Sequence, residues 1–277
     1  MDMIFTNQNI CGPGIYRGLS NEDYHADRTA VSSSQLKVLV EQSPAHFAAA
    51  LAEKQESTDA LLFGSAFHCA LLEPDDFDKR YVIKPEVNAR TKEGKALIAA
   101  LEELADGKML ISHNWHERLK GMVASAIKHK AVRAMLAQGE AEMAFLWEDP
   151  ETGILCKIKS DWYQPGLAIW DAKSAVDASR SGFSRACGKY SYHLSAAMYQ
   201  AGVAAITGER LPWRFVAVEK EYPYACAVYT ASEAFLRKGQ RDLRKALEIL
   251  KACRISEFYP GYQSSHEVEE IDLPAWM

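Results

Sequence analysis

Between residues 142 and 174 the chain reads as three β-strands in close succession, "EMAFLWE", "ILCKIKSDWY" and "LAIWDAKS", separated only by the turn signals "DPETG" and "QPG". Strands joined by so few residues pair with their sequence neighbours, which makes this stretch an antiparallel meander. No other feature constrains the fold as much. A meander commits the chain to a sheet and leaves the surrounding helices to cover its faces.

Those helices are legible on both sides. "SSSQLKVLVEQ" offers serine caps before an apolar face, and "PAHFAAALAEK" starts with proline at its first position. "DALLFGSAFHCALLEP" is apolar nearly all round and therefore reads as buried. "TKEGKALIAALEELADG" and "SHNWHERLKGMVASAIKHKAVRAMLAQG" predict two more helices, each closed by a glycine. After the meander we expect a long helix over 184–207, two strands in "WRFVAVEKE" and "CAVYTA", and a closing amphipathic helix, "SEAFLRKGQRDLRKALEILKAC". The first 30 residues read as irregular. The order defines an α/β (or α+β) class, with a mixed sheet flanked by helices.

At 277 residues and 48% hydrophobic, the chain suits one domain with an elaboration better than two independent ones. We divide it into an irregular and helical N-terminal elaboration over 1–57, a core over 58–253 and a C-terminal tail over 254–277. No run of about 18 apolar residues suggests a membrane span, and the N-terminus lacks a signal-peptide layout. A soluble cytoplasmic protein is the expectation. The net charge of −5 argues against a general basic coat but not against nucleic acid, because a channel can concentrate the cations. The six cysteines stand far apart, so zinc and iron–sulfur patterns are missing and reduced, largely buried thiols are expected.

Chemistry gathers at the third strand of the meander. Asp171 and Lys173, two positions apart, share one face. Asp161 ends the polar alternation of the strand before. Converging carboxylates suit a hard divalent ion such as Mg²⁺, and a lysine beside them can orient or deprotonate a water. The bare acid–any–lysine pattern also occurs as Glu93-Gly94-Lys95 and Asp106-Gly107-Lys108, which read as solvated surface. His68 stands on the buried, uncharged helix, where Gly64, Ser65 and Ala66 allow close backbone approach. Its other reading is a satisfied core histidine. Glu142 begins the first strand and either faces the same site or ends the strand in water.

Five ordered blocks, "GIYRGLSNEDYHAD", "SSSQLKVLVEQSPAHF", "FGSAFHCALLEPDDFDKRY", "WEDPETGILCKIKSD" and "IWDAKS", together with the final "IDLPAWM", resemble the nuclease domain of the RecE-type exonuclease (exonuclease VIII). That family lies in the PD-(D/E)XK superfamily, and the resemblance runs from about Gly14 to Trp276. It implies a restriction-endonuclease-like core with a helical N-terminal elaboration. The implied activity is metal-dependent, processive 5′-to-3′ degradation of double-stranded DNA ends, in a bacterium or its phage. The family's metal ligands fall on His68, Asp161, Asp171 and the backbone carbonyl of Ala172, and its catalytic lysine on Lys173. Mg²⁺ is the implied cofactor, and an imidazole ligand lets Mn²⁺ substitute. Related lambda-type nucleases bind the terminal phosphate with a serine at the start of an early helix and with arginines, which by position points to Ser34, Arg28 and Arg180. Relatives also form ring-shaped oligomers and work with a RecT-type single-strand annealing protein in homologous recombination.

One departure stands out. Where the family carries Gln-x-x-x-Tyr after the Asp-x-Lys strand, this chain keeps Tyr199 but has Ser195 in place of the glutamine. Gln200 lies about 100° further round the helix and is a poor substitute. Two other readings therefore stand beside the exonuclease. One is a DNA-end-binding scaffold with an impaired nuclease fold; the other is a nuclease with endonucleolytic or single-strand preference. The basic helix "LRKGQRDLRKALEILK" reads as a solvated face, diluted by Glu233, Asp242 and Glu248.

Overall fold

In the computed structural model, which describes residues 4–5, 10, 12–52, 58–85, 87, 90–263 and 267–273, the N-terminal stretch is more ordered than its sequence suggests. It contributes strands β1 (Ile4–Phe5) and β2 (Gly14–Tyr16) and helix α1 (Asn21–Ala26). Strands this short carry too little alternation to be read locally. Cys11, the end of "PAHFAAALAEK" and residues 274–277 of the final block lie outside the described residues.

Helices α2 (Ser33–Glu41), α3 (Pro44–Ala52) and α4 (Asp59–Leu72) follow where caps and periodicity place them. Ser32 and Gln35 form a capping box on α2, and the Thr58 side chain caps α4. Next come α5 (Phe77–Arg80), β3 (Tyr81–Ile83), α6 (Lys92–Leu104) and β4 (Met109–Ile111), with β3 and β4 paired as a separate two-stranded parallel sheet. The single helix expected over 112–139 is two, α7 (His113–Lys128) and α8 (Lys130–Leu136). The chain turns at His129, whose ring accepts the Ala131 N–H, while Arg133 donates to the carbonyls of Ile127 and Lys128. Side chains there satisfy the groups that an unbroken helix would have paired.

The meander comprises β5 (Glu140–Glu148), β6 (Leu155–Gln164) and β7 (Ala168–Ala175), antiparallel throughout. The helix expected over 184–207 is also two, α9 (Arg180–Lys189) and α10 (Tyr192–Thr207), separated by Ser191 in the left-handed region (φ 47°). That turn stacks the rings of Tyr190 and Tyr192, with centroids 5.7 Å apart. β8 (Trp213–Glu219), β9 (Cys226–Thr230) and α11 (Glu233–Ser256) complete the chain.

The main sheet has seven strands in the order β1-β2-β5-β6-β7-β8-β9. β7 and β8 run parallel because the α9–α10 crossover returns the chain to the same end of the sheet. This is the mixed, helix-flanked sheet that the strand order implies. One face buries Phe145, Ile158, Ile169 and Phe215 beneath α10 and α11; the other buries Trp162, Trp170 and Val216 beneath α4 and α7.

The pleat changes sides within the meander. Met143 and Ile158 face the α10–α11 layer, whereas Ala141 and Trp162 face the α4–α7 layer. The pairing runs from Ala141↔Trp162 to Met143↔Ser160 and omits Glu142 and Asp161 between them. Glu142 itself has φ 54°.

Candidate active site

β6 and β7 pair only at Trp162↔Trp170, Tyr163↔Ile169 and Gln164↔Ala168. Beyond Trp170, β7 leaves β6 while staying paired with β8 as far as Ala175↔Glu219. The fork leaves backbone groups of β7 without strand partners, and side chains take them up. The Ala172 N–H donates to Asp161 Oδ2 at 2.8 Å, and the Ala172 carbonyl lies 2.6 Å from His68 Nε2. His68 Nε2 is also 3.6 Å from Asp161 Oδ2. Its helix packs on β7 with room to spare at Gly64, where an added Cβ would meet Ser174 Oγ at an ordinary 3.9 Å. Glu142 completes the group: one ligand atom from each of His68, Glu142 and Asp161 lies within 4.8 Å of the others.

Asp171 and Lys173 share a face, as their spacing predicts, and Lys173 Nζ donates to Asp171 Oδ1 at 2.5 Å. Alternation turns this pair away from α4, beside the Tyr192 ring, whose centroid is 5.4 Å from Lys173 Nζ and 5.5 Å from Lys37 Nζ. Of the residues expected at the metal, His68, Glu142 and Asp161 meet within 4.8 Å, and Asp171 and Lys173 are near enough for their charges to act on Asp161.

The electrostatics are those of crowded acids. Burial raises the Asp161 pKa and the charge of Asp171 raises it further, against His68, Lys173 and the Ala172 N–H. Burial also raises Glu142, with Asp161 adding to it, while Lys159 at 3.1 Å pulls the other way. For Lys173, burial favours the neutral amine, but Asp171 and Asp161 together outweigh it and raise the pKa. Lys37 is pushed down to about 8, by burial first and then by Lys173. Two carboxylates, an imidazole and a peptide carbonyl fit a hard divalent cation, which would relieve the acids that burial and repulsion now keep protonated more readily than usual.

The group lies in a cleft of about 750 Å³. Lys159, 3.1 Å from Glu142, lines it, as do Tyr199, Lys79, Arg80 and Lys108. Tyr199 packs edge-on against Trp213, so it is a core aromatic and a cleft residue together. Asp106-Gly107-Lys108, read as solvated surface, is exposed, and it forms part of the cleft wall. The left-handed residues Asp106 (φ 47°) and Gly107 (φ 80°) reverse the chain after α6 and set β4 against β3.

Three residues expected at a terminal phosphate lie elsewhere. Ser34 is exposed, with its hydroxyl 2.9 Å from that of Ser32; its neighbour Ser33 turns inward, accepting from Ser195 Oγ at 3.5 Å. Arg28 is exposed and does not line the cleft, and Arg180 starts α9 near Tyr229. Ser33 and Ser34 face different ways because a helix turns about 100° per residue. The Lys159–Glu142 pair was not anticipated, although the alternation of "CKIKSD" already put Lys159 near Asp161.

Residues 32–273 match the family described as a PDDEXK-like domain of unknown function (DUF3799), and the chain belongs to it. Fold and site thus define a member of the PD-(D/E)XK nuclease superfamily, whose enzymes depend on divalent metal. A crystal structure of a putative exonuclease from Eubacterium rectale superposes with a TM-score of 0.64 at 17% identity, over 93% of this chain and 97% of that one. It shares the fold. A second structure, SSO0001, reaches a TM-score of only 0.27 at 14% identity, over 80% of this chain and 87% of that one, and carries no argument. No curated protein matches the chain. Among the described residues, no helix is long and apolar enough to cross a membrane.

Proposed function

We propose that the protein is a RecE-type exodeoxyribonuclease that degrades linear duplex DNA from its 5′ ends and leaves 3′ single strands for a RecT-type annealing protein. The observation that carries this reading is the meeting of His68, Glu142 and Asp161 within 4.8 Å at the β6–β7 fork, beside Asp171 and Lys173. His68, Glu142, Asp161 and the Ala172 carbonyl would hold Mg²⁺ or Mn²⁺, with Asp171 adding charge at its edge. When bound, the ion neutralises charge on the scissile phosphate and makes a water acidic enough to attack.

The chain's own residues do the rest. Lys173 is held protonated by Asp171, so it donates hydrogen bonds: it orients the attacking water or a phosphate oxygen and does not act as a base. Tyr199 presents its edge to the same cleft. Lys79, Arg80 and Lys108 supply positive charge along the path of the duplex, although Lys79 is paired with Asp76, Arg80 with Glu73, and Lys108 donates to the Asp78 carbonyl of α5. Ser33, paired with Ser195, is better placed than Ser34 for a phosphate near α10. A ring-shaped homo-oligomer encircling the duplex accounts for processivity in a chain without a basic coat.

The test uses linear duplexes with and without a 5′-phosphate and closed circular DNA, each with Mg²⁺ or with chelator. Acid-soluble nucleotides should come from linear DNA alone, faster with the phosphate, and disappear with chelator. Cutting of circles would replace the exonuclease by an endonuclease. Binding of ends without metal-dependent degradation would replace it by a scaffold.

A further inference from the structure

The charges of α11 are sorted by the fold in a way the sequence does not suggest. Asp242 is taken by His193 Nε2 at 2.8 Å and by Lys238, and Arg244 turns to Asp149. What remains is a row at four-residue spacing, Arg237, Arg241 and Lys245, exposed on one face of the helix. Arg210, from the loop after α10, shares with them a cleft of about 740 Å³. None of these four cations has a hydrogen bond or ion pair among the described residues. The two acids of the cleft do not cancel them: Glu151 is engaged by Arg244 at 3.3 Å, which leaves Glu248 alone.

The remaining wall is α10, with alanines and Gln200. Gln200 is 4% exposed; its Nε2 donates to the Leu211 carbonyl, while its Oε1 has no donor. Phosphate oxygens are acceptors and cannot satisfy Gln200 Oε1, so the grip on an anion here falls to the four cations alone. No aromatic ring lines the cleft, so bases have nothing to stack on and recognition must act through charge. The row advances about 6 Å per cation along the helix, a step that successive phosphates of an extended strand can follow.

The geometry points to a second nucleic-acid site: Arg210, Arg237, Arg241 and Lys245 hold the phosphodiester backbone of a single strand without reading its bases. The choice of a polynucleotide as the anion rests on the nuclease reading. The cleft begins beside Glu151, just past the turn end of β5, whereas Glu142 sits near the other end of that strand. The six-residue step from Glu142 to Glu148 is about 20 Å of strand. A strand of a few nucleotides bound here therefore lies outside the hydrolytic cleft.

The test measures binding of a labelled single-stranded oligonucleotide by fluorescence anisotropy, in chelator so that nothing is cut, across a range of salt. Duplex DNA, inorganic phosphate and poly-glutamate serve as competing probes. The variant R237A/R241A/K245A should weaken single-strand binding at least about tenfold at low salt. It should also flatten the slope of log K against log salt by about 2, the share of three phosphate contacts at about 0.7 each. R237K/R241K should keep the slope, and the melting temperature of both variants should match the wild type because the residues are exposed. Metal-dependent cleavage of a short duplex should be unchanged in the alanine variant. An unchanged slope would overturn the site. So would a slope change with duplex alone, or preferential binding of poly-glutamate, which would assign the cleft to an acidic protein. Loss of the slope in a protein that never degrades DNA would instead keep this site and sink the nuclease reading.

Discussion

The ribbon of β5 and β6 carries buried or half-buried acids at both ends, and the two ends treat them oppositely. At the turn end, Asp149 accepts two hydrogen bonds from Arg244, at 2.8 and 2.9 Å, and two more from the Thr152 backbone and hydroxyl. Burial would raise its pKa, but Arg244 and Thr152 outweigh burial and hold it low. At the fork end, Glu142 and Asp161 stand beside each other with raised pKa values, the ladder skips them, and Glu142 takes a left-handed backbone. That backbone alone costs about 1–2 kcal/mol for a residue with a Cβ. A carboxylate that serves stability is matched with donors. At the fork, Lys159 and His68 do not outweigh burial and mutual repulsion, and the rest of the fold holds the two acids in place.

This contrast can be broken most severely by Asp161→Asn. Its degradation of linear duplex should fall by about 10³-fold or more, while the metal-free protein melts no lower than wild type; a large loss of melting temperature would make the fork structural. Lys173→Ala should cost about 10²–10⁴-fold in rate, read from nucleotide release at saturating metal. At the other end the signs reverse. Asp149→Ala should destabilise by about 2–3 kcal/mol in denaturant unfolding, near the lower bound because Arg244 is 30% exposed and retains Glu151. Its turnover per folded molecule should be unchanged.

A smaller effect concerns pH and metal. Because Glu142 and Asp161 are raised in the fold, the folded chain binds more protons than the unfolded one between the ordinary and the raised values. The contribution of these two groups to the stability of the metal-free protein is therefore fully present below the ordinary carboxylate range and is lost as pH rises through the raised values, opposite in sign to that of Asp149. Mn²⁺ or Mg²⁺ competes with those protons, so the rise in melting temperature on adding metal should grow from pH 5 to pH 8, and should vanish in Asp161→Asn. The smallest effect is expected at Lys37. With its pKa at about 8 against 10.5 unfolded, the folded chain binds fewer protons than the unfolded one between those values. Lys37→Met should raise the melting temperature below pH 8, with the gain fading as pH climbs toward 10.5.

Much of this was legible locally. The meander follows from turn residues between alternating strands, α2 from serine caps before an apolar face, α4 from a run apolar nearly all round, and α6 from a pattern closed by Gly107. The helix breaks at His129 and Ser191 were not legible. Neither position carries proline, and the left-handed Ser191 is stabilised by ring stacking that helical periodicity does not register. Strand β2 was hidden in an irregular stretch because three residues become a strand only when β5 is there to pair with them. That the exposed Asp106-Gly107-Lys108 borders the cleft likewise depends on where β4 meets β3.

The sequence by itself determined that Asp171 and Lys173 share a side and that an acid, a histidine and a lysine are available to one sheet, since alternation and helix period are properties of a few neighbouring residues. Which side chains meet at the fork was decided only in three dimensions. β7 parts from β6 after Trp170, the pleat reverses at Glu142 and Asp161, and α4 brings His68 across from about a hundred residues earlier in the chain. Those events depend on packing between distant segments, to which no local pattern is sensitive.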